Sequence, residues 1–148
     1  MNIFSRLQDN DLLKYLNDQE YAFVSGFGKE FVYQKNTIFQ IDTCLNLYVI
    51  KNGKISHFTY DKENLPLFFE ECGDLEILWE PPFFFQKPDN IEFLCSEETT
   101  IIQYSKDELD NVFSAHPLIE LKIQAALNDS LCEKNIRLTQ RVLRDTNE

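Results

Sequence analysis

Apolar and polar positions change their spacing twice along this chain, and each change marks a new kind of element. In Met1–Gly28 the spacing is helical. Leu12, Leu13 and Leu16 share one face, Asp9 or Asn10 stands where a helix is capped, and Gly26 and Gly28 end the pattern. From Lys29 to Ser105 the pattern turns to strands. Phe31-Val32-Tyr33, Thr37-Ile38-Phe39 and Leu47-Tyr48-Val49-Ile50 are β-branched and aromatic clusters, and Leu65–Phe69, Ile91–Cys95 and Thr99–Tyr104 add more. Short strands at about 8–12-residue spacing predict an all-β sandwich or barrel. Asn52-Gly53 lies between two such runs. It predicts a two-residue type I′ hairpin with both residues at positive φ.

Helical spacing returns at Lys106. Ser105 and Glu108 are spaced as a capping box that opens a short helix. Pro117 suits the first turn of a second helix, where its missing N–H would have no partner anyway. No Gly or Pro follows as far as Arg144, which predicts one helix of ~27 residues, about 40 Å long. Ile119, Ile123, Leu127 and Leu131 form one stripe on it, and Leu118, Leu121, Ala125 and Cys132 a second. One side can cover the strands and the other can meet a second helix. The chain shows no internal repeat and no low-complexity tract.

Composition narrows the classes. The 148 residues favour one domain, able to bury roughly 68–70% of its unfolded surface without staples. Fourteen Lys and Arg against 25 Asp and Glu leave a net charge of −11, which opposes a broad nucleic-acid surface. The chain has no apolar run near the ~20 residues of a membrane span. The start, Met1-Asn2-Ile3-Phe4-Ser5-Arg6, does not resemble a signal peptide, so a cytoplasmic location without membrane contact is expected. Cys44, Cys72, Cys95 and Cys132 lack zinc spacing and are expected to be buried free thiols.

The order of elements, read with particular residues, resembles the cyclic-nucleotide-binding-like sensor domain of Crp-Fnr bacterial transcription regulators. Lys35-Asn36-Thr37-Ile38-Phe39-Gln40 resembles that family's entry strand, with Ile41 where a Gly is usual. Leu47–Ile55 resembles its hairpin, and Glu71-Cys72-Gly73-Asp74 its Gly-Asp turn. Thr99–Leu109 with His116-Pro117-Leu118 resembles the exit strand, short helix and Pro-initiated long helix. The resemblance implies a mainly β fold: a β-roll (double-stranded β-helix or jelly roll) with N-terminal helices and a long C-terminal helix. The expected segments are 1–28 helical, 29–116 the roll with its short helix, and 117–148 a dimerisation helix.

The ligand cassette of the family is degenerate here. Cyclic-nucleotide-binding members follow Gly-Asp with a hydrophobic–Gly–Glu step and later an Arg-Ser or Arg-Ala pair for the phosphate. In this chain Ile77 takes the Gly position, Leu78 the Glu position, and Asp89 and Asn90 the Arg-Ser position. An Asp repels a phosphate that an Arg would clamp, and Pro81-Pro82 remove backbone donors. Glu76 or Glu80 can replace the missing Glu if the alignment slips by two residues. Between Lys62 and Lys106 the only basic residue is Lys87. The candidate pocket is therefore Gly73, Glu76, Leu78, Trp79, Glu80, Asp89 and Asn90, with cAMP not bound in the usual way. An unidentified small-molecule effector and a variant nucleotide pocket stay as alternatives.

Other chemistries are poorly supplied. Iron–sulfur ligation needs clustered cysteines. Haem needs an axial His, and His57 and His116 read as partly exposed imidazoles at a strand or loop surface. A metal enzyme on a cupin-like roll needs several clustered His, so no enzyme and no cofactor are expected. Phe83-Phe84-Phe85 reads as a plug of the roll, with an apolar ligand patch as the alternative. Trp79 and Phe68-Phe69 read as core.

The resemblance implies a homodimer through Ile123, Leu127, Leu131, Leu138 and Val142. Lys134, Arg137, Arg141 and Arg144 read as a solvated basic face that complements the helix dipole, rather than an approach to DNA. A helix-turn-helix domain follows the long helix in the family, so DNA contact is expected only through a domain outside these residues. The ending Arg144–Glu148 has no helix stop signal, which favours an excised regulatory half over a free-standing module. A regulatory sensor and dimerisation module is the expected function, and a protein-interaction module with a self-filled roll is the alternative.

Overall fold

The computed structural model describes residues 10–40, 46–60, 62–79 and 92–147, with all of their side chains except those of residues 59, 67–69, 79 and 147. The elements run α1 (Asp18–Ser25), β1 (Lys29–Tyr33), β2 (Ile38–Phe39), β3 (Asn46–Asn52), β4 (Ile55–Tyr60), β5 (Pro66–Cys72), β6 (Ile77–Trp79), β7 (Glu92–Cys95), β8 (Thr99–Ser105), α2 (Lys106–Ala115) and α3 (Pro117–Asn147). The strands form two antiparallel sheets of four, in the orders β1-β8-β3-β6 and β2-β7-β4-β5. This is the expected β-roll.

Strand alternation stacks three layers. Leu47 and Val49 of β3 join a core with Leu12, Leu13, Tyr104, Ile123 and Leu127, while Tyr48 and Ile50 join a second with Ile55, Cys72, Phe93 and Ile101. Successive side chains leave opposite faces of a strand, so the first sheet is buried on both sides, by the helices and by the second sheet. Full burial of each such aliphatic contributes roughly 1.5–3 kcal/mol.

The helices follow local chemistry. Asn17 caps α1 and exchanges hydrogen bonds with Glu20, each at 2.9 Å, in a full capping box. The first helix therefore starts later than expected. Leu12, Leu13 and Leu16 sit in and just after a turn that precedes it, still buried, and Asn10 caps that turn by accepting from the Leu13 N–H at 3.1 Å. Ser105 caps α2 through the Glu108 N–H. Pro117 disfavours helical backbone at His116, which sits at φ −135° and separates α2 from α3.

One expectation fails outright. Asn52-Gly53 is not a hairpin, because β3 and β4 belong to different sheets. Asn52 remains in the β3 ladder opposite Thr100, and among the two only Gly53 has positive φ, at 117°. The dipeptide turns a corner between sheets. Asp74 holds that corner by accepting from the Gly53 N–H at 2.7 Å. The β4–β5 pair is the true hairpin, with Asn64 at φ 63° in its loop.

Cys72 and Cys95 are buried as expected, but Cys132 is exposed because it faces away from the roll on α3. Cys44, Asp9 and Phe83-Phe84-Phe85 lie outside the described residues, as do the side chains of Trp79 and Phe68-Phe69.

Candidate functional site

The Gly73-Asp74 turn is bound to β3 on both sides. Leu75 N–H donates to the Ile50 carbonyl at 2.8 Å, the Ile50 N–H donates to the Glu76 carbonyl at 2.9 Å, and Glu76 N–H returns to Gly73 at 3.2 Å. Leu75 takes φ 68°, a left-handed backbone that a branched side chain seldom adopts. Ile77 and Leu78 follow, both fully buried, and they enter opposite cores. The two positions expected to lack the ligand-binding Gly and Glu therefore carry packing side chains, with no polar atom to offer. Trp79 pairs through its backbone with Tyr48. Glu80, Asp89 and Asn90 lie outside the described residues.

Glu76 is engaged by the long helix. Both of its oxygens accept from the Arg137 guanidinium, at 3.4 and 3.2 Å, and Arg137 also reaches Glu70 on β5 at 2.8 Å. Lys134, one turn earlier, donates to the Ile77 carbonyl at 2.6 Å. Burial works against the Arg137 charge, but the Glu76 hydrogen bond and the two carboxylates outweigh it and hold the guanidinium pKa above its ordinary value. Lys134 and Arg137 are thus not merely a solvated face; they join α3 to the cassette. Their spacing along the helix was visible in the sequence, but the carboxylates opposite them come from β5 and the turn. Beside the latch lies a cleft of about 220 Å³ between Glu70 and Glu71 on one wall and Arg137, Arg141 and Arg144 on the other.

His57 corrects another expectation. It is 1% exposed rather than at the surface, edge-on to Phe93 with ring centroids 4.8 Å apart. It shares a strand face with Ile55, whose side chain also points into the roll. Burial pushes its pKa down to about 3, and the Lys134 and Arg137 charges push the same way. His116 is exposed and touches Phe23. Among the described residues no cluster of His, Cys, Asp and Glu fit to hold a metal is present, and no helix is long and apolar enough to cross a membrane.

The long helix divides its faces differently from the expected seam. Ile123 and Leu127 are fully buried in this chain's own core, and Leu131 and Leu138 are half-buried. Of the five seam residues only Val142 is exposed, at 54%. The exposed face instead carries Leu118, Leu121, Ala125, Asn128, Cys132, Asn135, Thr139 and Val142, spaced alternately three and four residues apart. That is heptad spacing, with Leu118, Leu121, Ala125, Cys132 and Val142 apolar and Asn128, Asn135 and Thr139 polar. The N-terminal region is fastened along the flank of the helix, between its buried and exposed faces, through Lys14–Asp129 at 3.2 Å and Lys122–Glu20 at 2.6 Å.

No family model and no curated protein matches the chain. Solved structures do. A cyclic nucleotide-binding domain from Methylobacillus flagellatus KT superposes with a TM-score of 0.79 at 14% identity, over 91% of this chain and 82% of that one. The N-terminal domain of a transcriptional regulator from Streptomyces coelicolor A3(2) gives 0.70 at 18% identity, over 87% and 94%. The catabolite activator protein of Thermus thermophilus gives 0.69 at 17% identity over 89% of this chain, but this chain spans only 63% of its length. The likeness shows the fold, the cyclic-nucleotide-binding-like roll with its long C-terminal helix.

Proposed function

We propose that this chain is a non-enzymatic regulatory sensor module that pairs with a second copy through α3 and does not hold a cyclic nucleotide in the usual way. The observation that carries the reading is the burial of Ile77 and Leu78, which leaves the two cassette positions apolar. The Glu76 carboxylate nearby is already matched by Arg137. The position that would clamp the nucleotide phosphate falls on Asp89 in the sequence, and an Asp repels a phosphate that an Arg would hold. Segments 1–28, 29–116 and 117–148 then act as a clamp on the helix, the roll, and the pairing helix. The sensor halves of transcriptional regulators supply the precedent for output through a further DNA-binding domain.

Thermal unfolding with cAMP and cGMP tests the cassette. No shift is expected at about 1 mM. A rise of several degrees, which requires a dissociation constant well below that concentration, overturns the reading.

A further inference from the structure

A second cleft, of about 230 Å³, opens between the N-terminal turn, the end of α1 and the first sheet, and shares no lining residue with the cleft beside Arg137. Its apolar lining is Leu13, Leu75 and Ile102. Its deepest polar groups are Asn10 and Tyr104, 7% and 1% exposed. Glu30 and Lys51 are the two charged residues that line it. They pair at 2.7 Å, with side chains 52% and 49% exposed.

The walls are fixed in place. Leu75 holds its left-handed backbone because both of its peptide groups are used, its N–H by Ile50 and its carbonyl by Asp11, each at 2.8 Å. Such conformations persist where the surroundings over-determine them, and they gather at functional sites. Gly28 closes the α1 side: a Cβ there would stand 2.7 Å from Ile102 Cγ2 and 3.2 Å from Tyr104 Cε1. Tyr21 and Ser25 bring further hydroxyls to the same side.

We infer that this cleft binds a small zwitterion, a free α-amino acid with an apolar side chain. The ligand carboxylate meets Lys51, the ammonium meets Glu30, and the side chain lies against Leu13 and Ile102. An exposed ion pair contributes little, so a ligand that brings the opposite charge to each partner replaces that pair at small cost. The volume is below the roughly 300–1,000 Å³ of pockets for drug-sized molecules, which suits a ligand the size of one amino acid. The inference goes beyond the sensor reading and stands whether or not the Gly73 turn takes a ligand. An occupant would touch the N-terminal turn, α1 and the residue after Gly73-Asp74 together.

The test is thermal unfolding and calorimetric titration of the full chain with L-leucine. Two half-ligands serve as controls: 4-methylpentanoate, which lacks the amine, and 3-methylbutylamine, which lacks the carboxylate. At a hundred times its dissociation constant L-leucine should raise the melting temperature by about 5–10 °C, and neither half-ligand should match it. Lys51→Met and Glu30→Gln alter exposed side chains, so both variants should fold and each should lose the shift. No shift with L-leucine at about 10 mM, a weaker affinity than charge-matched recognition gives, overturns the inference. So does an equal shift with either half-ligand, or one that persists in both variants.

Discussion

Gly53 lies so close to Thr99 that a Cβ on the glycine would stand 2.7 Å from the threonine's Cα. Thr99 is fully buried, and its hydroxyl accepts from the Lys54 N–H at 3.2 Å, so it has no room to retreat. Gly53 also sits at φ 117°. Gly53→Ala therefore combines backbone strain with overpacking, and should destabilise the fold by about 2–4 kcal/mol. Gly26→Ala is the contrast: φ is −64° there and the nearest atom to a new Cβ is 3.4 Å away. That substitution should be neutral or slightly stabilising. Urea unfolding of the two variants checks the pair, and equal effects would mean that the corner is not as described.

The same dipeptide shows where sequence reading stops. Asn-Gly announces a reversal, but the chain only turns a corner there and runs on from β3 into β4 of the other sheet. Whether the flanking strands pair with each other depends on partners such as Thr100, some 50 residues away, and local chemistry is silent on that. The strands themselves were legible because β-branched and aromatic residues cluster in them, and the α2–α3 break was legible at His116-Pro117. The Asn17–Glu20 capping box was also in the sequence, but the leucines before it drew the helix start too early. At the site, Ile77 and Leu78 were placed by position alone. The Arg137 latch was not legible, since Glu70 and Glu76 reach it only after the roll has closed. His57 looked like a surface group because a lone polar residue in a strand gives no sign of which face it takes.

Arg137 and its carboxylates should carry measurable stability. Glu70 is 14% exposed and Arg137 is 44% exposed, so the pair lies between a surface bridge, worth about 0–1 kcal/mol, and a buried one, whose disruption costs about 3–5 kcal/mol. Arg137→Met should cost about 1–2 kcal/mol and speed hydrogen exchange at Ile77 and its neighbours. Arg137→Lys keeps the charge but not the fork that reaches both carboxylates, and should recover part of the loss. Unchanged exchange in Arg137→Met would show that α3 is held to the cassette by packing alone.

Acid should destabilise the fold through His57. Folded His57 stays neutral down to about pH 3, whereas in the unfolded chain it takes a proton near its ordinary 6.5. Between those values the unfolded state binds more protons, so this group's contribution falls as pH drops from 6.5 toward 3 and is constant above 6.5. Phe93 from β7, Glu70 opposite it on β5, and the Lys134 and Arg137 charges of α3 surround it. His57→Leu should flatten the stability profile over that window by an amount on the order of a few kcal/mol at its lower end. The difference between parent and variant cancels the titration of the carboxylates. Parallel profiles for the two proteins would mean that His57 meets solvent in the folded chain.

The exposed face of α3 leads to the sharpest test of pairing. Leu118, Leu121 and Val142 are 57%, 66% and 54% exposed, a large apolar outlay for one solvated face. A parallel two-fold pair places each seam residue opposite its own copy. Leu121→Glu with Val142→Glu would set like charges against each other there and desolvate them, which is enough to separate a micromolar dimer. Neither side chain supports the roll, so the double variant should stay folded and scatter light as a monomer. Ile123→Glu, two residues from Leu121 but fully buried, should unfold the chain instead. Cys132 gives an independent reading, because it is exposed on the same seam while Cys72 and Cys95 are buried. In a Cys44→Ser background, mild oxidation should link two chains through Cys132, and adding Cys132→Ser should abolish the link without dissociating the dimer. A parent chain that is monomeric at about 50 µM, where a dimer of micromolar affinity would persist, removes the pairing claim, and a dimer that survives the double substitution moves it to another surface.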